Sequence, residues 1–88
     1  MNSRPDDSAI EAEILARVTA AGPGSSISPS DVAQALAPVD WRPLLGPVRR
    51  LALKLQAEDR IVILRKGKAV PAAEVRGVIR LALPGGRA

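Results

Sequence analysis

The apolar residues change their period near Arg60, and that change constrains the fold more than any other feature of the chain. Upstream they recur at intervals of three and four, as a helix that buries one face requires. Downstream they run in blocks rich in β-branched residues, Ile61-Val62-Ile63-Leu64 and Val78-Ile79-Arg80-Leu81, as strands do. Within 88 residues such an order leaves room for one domain and one core, and a chain this short buries about 60–65% of its unfolded surface. That core is aliphatic, because the sequence has no Phe and no Tyr and Trp41 is its single aromatic residue.

Punctuation divides the helical part into three. Residues 1–7 read as a disordered tail. Ser8 followed by Glu11 has capping-box spacing, and Ile10, Ile14, Val18 and Ala21 repeat at helical intervals with Leu15 at the edge of the stripe. The spacing predicts a helix over 9–21, stopped by Gly22 and Pro23. After a turn, Ile27 offers a very short extended segment. A second helix opens with Ser28 as N-cap, Pro29 in the first position, where no donor is lost, and Asp31 closing the box. Val32, Ala35 and Leu36 form its expected inner face, and Pro38 ends it. A third helix is expected from about Gly46 to about Glu58, with Pro47 in its first turn. Leu44, Val48, Leu51 and Leu55 share one face of it. Arg49, Arg50, Leu53 and Ala57 take the opposite face, flanked by Lys54 and Gln56.

The rest reads as a strand over 60–65, a turn at Lys66-Gly67-Lys68, and a long loop containing Pro71 and Gly77. That loop has room for one helical turn at 72–75. A second strand follows over 78–83, with Ile79, Leu81 and Leu83 on one side. Residues 8–84 are thus expected to form an α+β winged helix in the order α-β-α-α-β-β, and residues 85–88 a disordered tail. The second and third helices make a helix-turn-helix and the C-terminal β-hairpin makes the wing. A three-helix bundle with a trailing hairpin has nearly the same contacts. The winged helix is preferred because Ile27 supplies a third strand, whereas a two-stranded hairpin alone is marginal.

Five stretches carry a resemblance: Ser28-Pro29-Ser30-Asp31-Val32, Asp40-Trp41-Arg42, Pro47-Val48-Arg49-Arg50, Arg65-Lys66-Gly67-Lys68 and Arg76-Gly77-Val78-Ile79-Arg80. As a set, spanning nearly everything between Ser8 and Leu83, they resemble a family of small bacterial proteins known only as a domain of unknown function. The resemblance implies a winged-helix fold. It implies no activity.

Composition removes several function classes. The sequence has no histidine and no cysteine, so the commonest general base, thiolate nucleophiles, disulfides and thiolate metal sites are absent. Ser25, Ser26, Ser28 and Ser30 lack a base to activate them, and the lysines cluster far along the chain. The acids lie at helix starts and in turns, where capping explains them. Lys66-Gly67-Lys68 lacks the glycine spacing of a phosphate loop. No enzyme, cofactor or metal is expected. No apolar run approaches the about 18 residues that span a bilayer, and the N-terminus has no signal-peptide apolar region. A cytoplasmic location is expected, with no membrane contact.

The net charge of +4 conceals an asymmetry. Residues 1–39 carry two bases against five acids, net −3, and residues 40–88 carry eleven bases against four acids, net +7. A basic second half suits a polyanionic partner. On the third helix Arg49, Arg50 and Lys54 are placed to reach phosphates and base edges, and Arg65, Lys66, Lys68 and Arg76 surround the wing. The leading expectation is a nucleic-acid-binding, most readily DNA-binding, protein. The alternatives are a protein-interaction module on the same fold and an accessory domain for an RNA-processing enzyme. Leu53 reads as an ordinary exposed leucine amid the basic face. Trp41 reads as a plug between the second and third helices, with Arg42 turned to solvent. No dimerising element is evident, so a monomer is expected.

Overall fold

Each helix of the chain begins where a backbone donor finds a side-chain or turn partner. The computed structural model describes residues 5–84. The parts of the expected tails at residues 1–4 and 85–88 lie outside them. Helix α1 (Asp7–Ala21) starts earlier than the Ser8 spacing suggests, because Asp6 is the N-cap and its carboxylate accepts from the Ala9 N–H at 2.9 Å. A carboxylate is the stronger acceptor at the positive end of the helix dipole. Gly22, at φ +86°, ends the helix and donates its N–H to the Val18 carbonyl.

Helix α2 (Pro29–Leu36) has the expected reciprocal cap, Ser28 Oγ accepting from the Asp31 N–H and Asp31 Oδ2 from the Ser28 N–H. Its inner face is Val32, Ala33 and Leu36, and Ala35 is exposed. The three inward residues span one 100° arc, and Ala35 lies outside it. A 3₁₀ turn at Arg42–Leu44 runs directly into helix α3 (Leu45–Ala57). Pro47 is the third residue of α3, among the first four positions, whose N–H groups have no intrahelical acceptor, so it breaks nothing. Arg60 and Asp59 donate back to the Leu55 and Gln56 carbonyls, a Schellman closure with Asp59 at φ +61° where glycine is usual.

Strands β1 (Val62–Arg65), β2 (Lys68–Ala69) and β3 (Arg80–Ala82) form an antiparallel sheet in the order β2-β1-β3. Leu64 lies opposite Ala69 and Arg65 opposite Lys68 on one edge of β1, while Val62, Ile63 and Leu64 lie opposite Ala82, Leu81 and Arg80 on the other. The element order among the described residues is therefore α-α-α-β-β-β, not the expected α-β-α-α-β-β. Ile27 forms a single bridge to Leu81, its N–H and carbonyl bonded at 2.8 and 2.7 Å. It goes no further because the next residue, Ser28, is already committed to capping α2. The expected pairing of the two long apolar runs is present as β1–β3. The chain also folds back immediately after Lys66-Gly67, making a strand where a loop was expected. The expected helical turn is a 3₁₀ turn at Ala72–Glu74.

One aliphatic core joins all these elements. Ile10, Ile14 and Val18 of α1, Val32 and Ala33 of α2, and Val48, Leu51, Ala52 and Leu55 of α3 pack with Leu44, Ile27, Ile61, Ile63, Ile79 and Leu81. Among the described residues no polar or charged side chain is buried. Nor is any helix long and apolar enough to cross a membrane.

Candidate nucleic-acid interface

The β1–β2 hairpin concentrates positive charge at some cost to its own stability. Lys66 and Gly67 form its two-residue turn, at φ +54° and +80°, positive at both central positions as a type I′ turn requires. Glycine adopts that conformation freely, but a lysine does so only against the clash of its Cβ with the backbone. Flanking the turn, Arg65 and Lys68 are directly opposed across the strands. Like charges in that relation repel. Lys66 and Lys68 are exposed and Arg65 is half-buried. Arg76, also exposed, follows the 3₁₀ turn that leads toward β3. Among the described residues these four cations have no ion-pair partner.

Helix α3 meets this group on one flank only. The Arg49 guanidinium donates to the carbonyl of Gly77, which holds α3 beside the loop that carries Arg76. Gln56, on the same flank, bonds to Ile63 of β1 and to Val70 just beyond β2. The opposite flank faces α1. Arg50 bonds both carboxylate oxygens of Asp7, at 3.1 and 3.3 Å. Lys54 reaches Glu11 at 2.6 Å and Glu58 at 3.7 Å. Both contacts advance by one helical turn on each helix in the same sense, so along this edge α1 and α3 run parallel.

These pairs alter the charges they join. The hydrogen bond from Arg50 holds the Asp7 carboxyl below the usual carboxylate range, and Asp7 in turn raises the Arg50 guanidinium. The hydrogen bond to Glu11 raises the Lys54 ammonium. The face expected to be cationic is thus divided. Arg49 joins the hairpin side, whereas Arg50 and Lys54 are matched by the acidic start of α1.

Among the described residues the remaining cations are engaged elsewhere. Arg80 donates to Ser26 Oγ and to its carbonyl at 2.8 and 2.9 Å, Arg17 pairs with Glu13 at 2.7 Å, and Arg60 lies 3.9 Å from Glu58. Leu53 is half-buried and packs on the core rather than standing as a free exposed leucine. It lies about 40–60° around the helix from Arg49 and Gln56, just outside the flank that meets the hairpin. Trp41 packs against the core, and Arg42, exposed as expected, lies over its ring, 4.7 Å from the centroid, a cation–π contact.

Sequence reasoning missed Asp7, Glu11 and Gln56. The first two left a signal, since Asp7/Glu11 and Arg50/Lys54 are both spaced by four and opposite in sign. Gln56 left none, because an amide on a helix flank has many ordinary uses.

A family model described as "Protein of unknown function (DUF3253)" matches residues 7–84. No curated protein matches the chain.

Proposed function

The chain belongs to this DUF3253 family, and we propose that it is a non-enzymatic winged-helix protein that binds duplex nucleic acid, DNA in the first instance, chiefly through phosphate contacts. In this reading α2 and α3 are the helix-turn-helix pair, and the wing, expected of the two long apolar runs that pair as β1–β3, is instead the β1–β2 hairpin within their connection. The observation that carries it is the hairpin tip: a lysine in the left-handed region beside a like-charged cross-strand pair. Folding gains nothing from that arrangement, and local strain retained at an exposed point is a reason to look for function there. A phosphate backbone supplies the missing counter-charge. Arg65, Lys66, Lys68 and Arg76 make the principal contacts, and Arg49 contributes from α3.

Arg50 and Lys54 contribute less, because a phosphate must displace Asp7 and Glu11 to reach them. The non-enzymatic part of the reading rests on chemistry: without a buried polar side chain among the described residues, nothing sits in the desolvated setting that tunes a catalytic acid or base. A protein-docking role is the second reading, favoured by Val39 and Val78, which are 94% and 86% exposed.

The test is fluorescence anisotropy of labelled DNA and RNA duplexes titrated across salt. The expected result is a Kd of about micromolar at low salt and a log–log salt slope of about −4, corresponding to four or five phosphates. The Arg65→Ala, Lys66→Ala, Lys68→Ala triple variant should lose most of that slope. No binding at low salt, or a triple variant that binds like the parent, overturns the reading and turns attention to the exposed valines.

A further inference from the structure

The antiparallel ladder between β1 and the returning strand is interrupted at its open end, and a side chain from α3 fills the gap. Arg65 opposite Lys68 and Leu64 opposite Ala69 are the first two positions from the turn. The next position would pair Ile63 with Val70, and in an antiparallel ladder such a pair exchanges two bonds. Only one of them is made directly, the Val70 N–H donating to the Ile63 carbonyl at 3.1 Å. In place of the other, the Ile63 N–H donates to Gln56 Oε1 at 2.7 Å and Gln56 Nε2 donates to the Val70 carbonyl at a longer 3.4 Å. The amide thus stands between the two strands as a spacer, donor to acceptor and acceptor to donor. The orientation of its oxygen and nitrogen is dictated by the backbone groups it meets.

We propose that Gln56 is a positioning residue that sets the angle of the wing against α3, so that Arg49 and the hairpin cations engage one duplex together. This rests on the nucleic-acid reading above and deepens it. β3 already holds Val62–Leu64 of β1 in the sheet, so the part left free to twist and sway about the hairpin's base is the turn and the returning strand β2, which has a neighbour on one edge only. Here the base is tied to α3 at the helical position two turns beyond Arg49, on the same flank. The tie is made by a side chain that offers both a donor and an acceptor at one reach. Hydrophobic contacts near it are non-directional and fix no angle. Removing the amide lets Ile63 and Val70 close their rung directly, and the hairpin then settles at a different angle to α3.

Gln56→Met tests this, because methionine keeps length and flexibility while losing both hydrogen bonds. Gln56→Glu is the second variant, retaining the acceptor for Ile63 and losing the donor for Val70. The readouts are residual dipolar couplings of residues 62–69 against those of 45–57, and the salt slope of duplex binding, both where each variant is fully folded. In the parent protein the two sets of couplings fit one alignment tensor. In Gln56→Met they no longer do, and the salt slope loses about one unit as Arg49 and the wing cease to act in register. Gln56→Glu shows the same changes in smaller degree.

A purely structural role would lower the unfolding midpoint and leave the slope of the folded protein unchanged, and that result overturns the inference. So do couplings in Gln56→Met that still fit one tensor with α3. Failure of the parent protein to bind any duplex is a different outcome: it overturns the nucleic-acid reading itself, and with it the purpose assigned to Gln56.

Discussion

Replacing Lys66 by asparagine should stabilise the protein while weakening its binding, two effects that rarely travel together. Lys66 occupies the first central position of the β1–β2 turn at φ +54°. An L-residue in that region gives up about 1–2 kcal/mol to the contact between Cβ and the backbone, and asparagine recovers part of it through local hydrogen bonding. The gain is about 0.5–1 kcal/mol, a rise of about 3–6 °C in Tm for a domain of this size. One cation is lost at the same time, so the salt slope of duplex binding shrinks by about 0.9. Circular dichroism on heating and anisotropy across salt measure the two quantities on one preparation. Lys66→Ala is the control, since it loses the charge without improving the turn, and should show the reduced slope with no gain in Tm. An unchanged or lower Tm for Lys66→Asn would refute the argument from strain. A higher Tm with an unaltered slope would refute the assignment of Lys66 to phosphate.

Other perturbations address the rest of the molecule. Asp59→Gly, at the left-handed position after α3, should stabilise by about 0.5–1 kcal/mol in urea unfolding, because glycine adopts that conformation without strain. Leu55→Ala should cost about 3 kcal/mol, since Leu55 is fully buried in the core. Asp7→Asn with Glu11→Gln frees Arg50 and leaves Lys54 only its longer contact to Glu58, and should steepen the salt slope by about one to two units in anisotropy titrations; an unaltered slope would show that α3 does not meet the duplex on that flank. The pH dependence follows from the same pairs. Asp7, its carboxyl lowered by Arg50, contributes stability that is fully present above the ordinary carboxylate range and lost as pH falls through the lowered value. Lys54, raised by Glu11, contributes stability present below the ordinary lysine range and lost as pH rises through the raised value. With no histidine or cysteine in the sequence, urea midpoints should be flat from about pH 6 to 8 and fall only outside that window.

What could be read from the sequence was what neighbouring residues decide among themselves. The Ser28–Asp31 cap, the stripe of Ile10, Ile14 and Val18, the inward face of Val48, Leu51 and Leu55, and the turn at Lys66-Gly67 all depend on contacts within about four residues. Local steric and hydrogen-bonding rules suffice for these, and the choice of helix or strand followed from them except at Lys68–Ala69, expected as turn and loop and found as β2. Where two local signals competed, at Asp6 and Ser8, the charged acceptor won and α1 grew by a turn's fraction. The tertiary structure decided which charges remain free. By their local surroundings Arg50 and Lys54 are cations on an open face like Lys66 and Lys68, and only a matching i,i+4 spacing of acids hinted otherwise, yet the first two meet carboxylates 43 residues away and the second two meet none among the described residues. Ile27 became a single bridge because Leu81, far along the chain, lay beside it, and Gln56 became a strand spacer because α3 packs against the base of a hairpin. Helical spacing names the face a side chain occupies. Only the packing of distant elements, driven by an aliphatic core indifferent to charge, determines what that face meets.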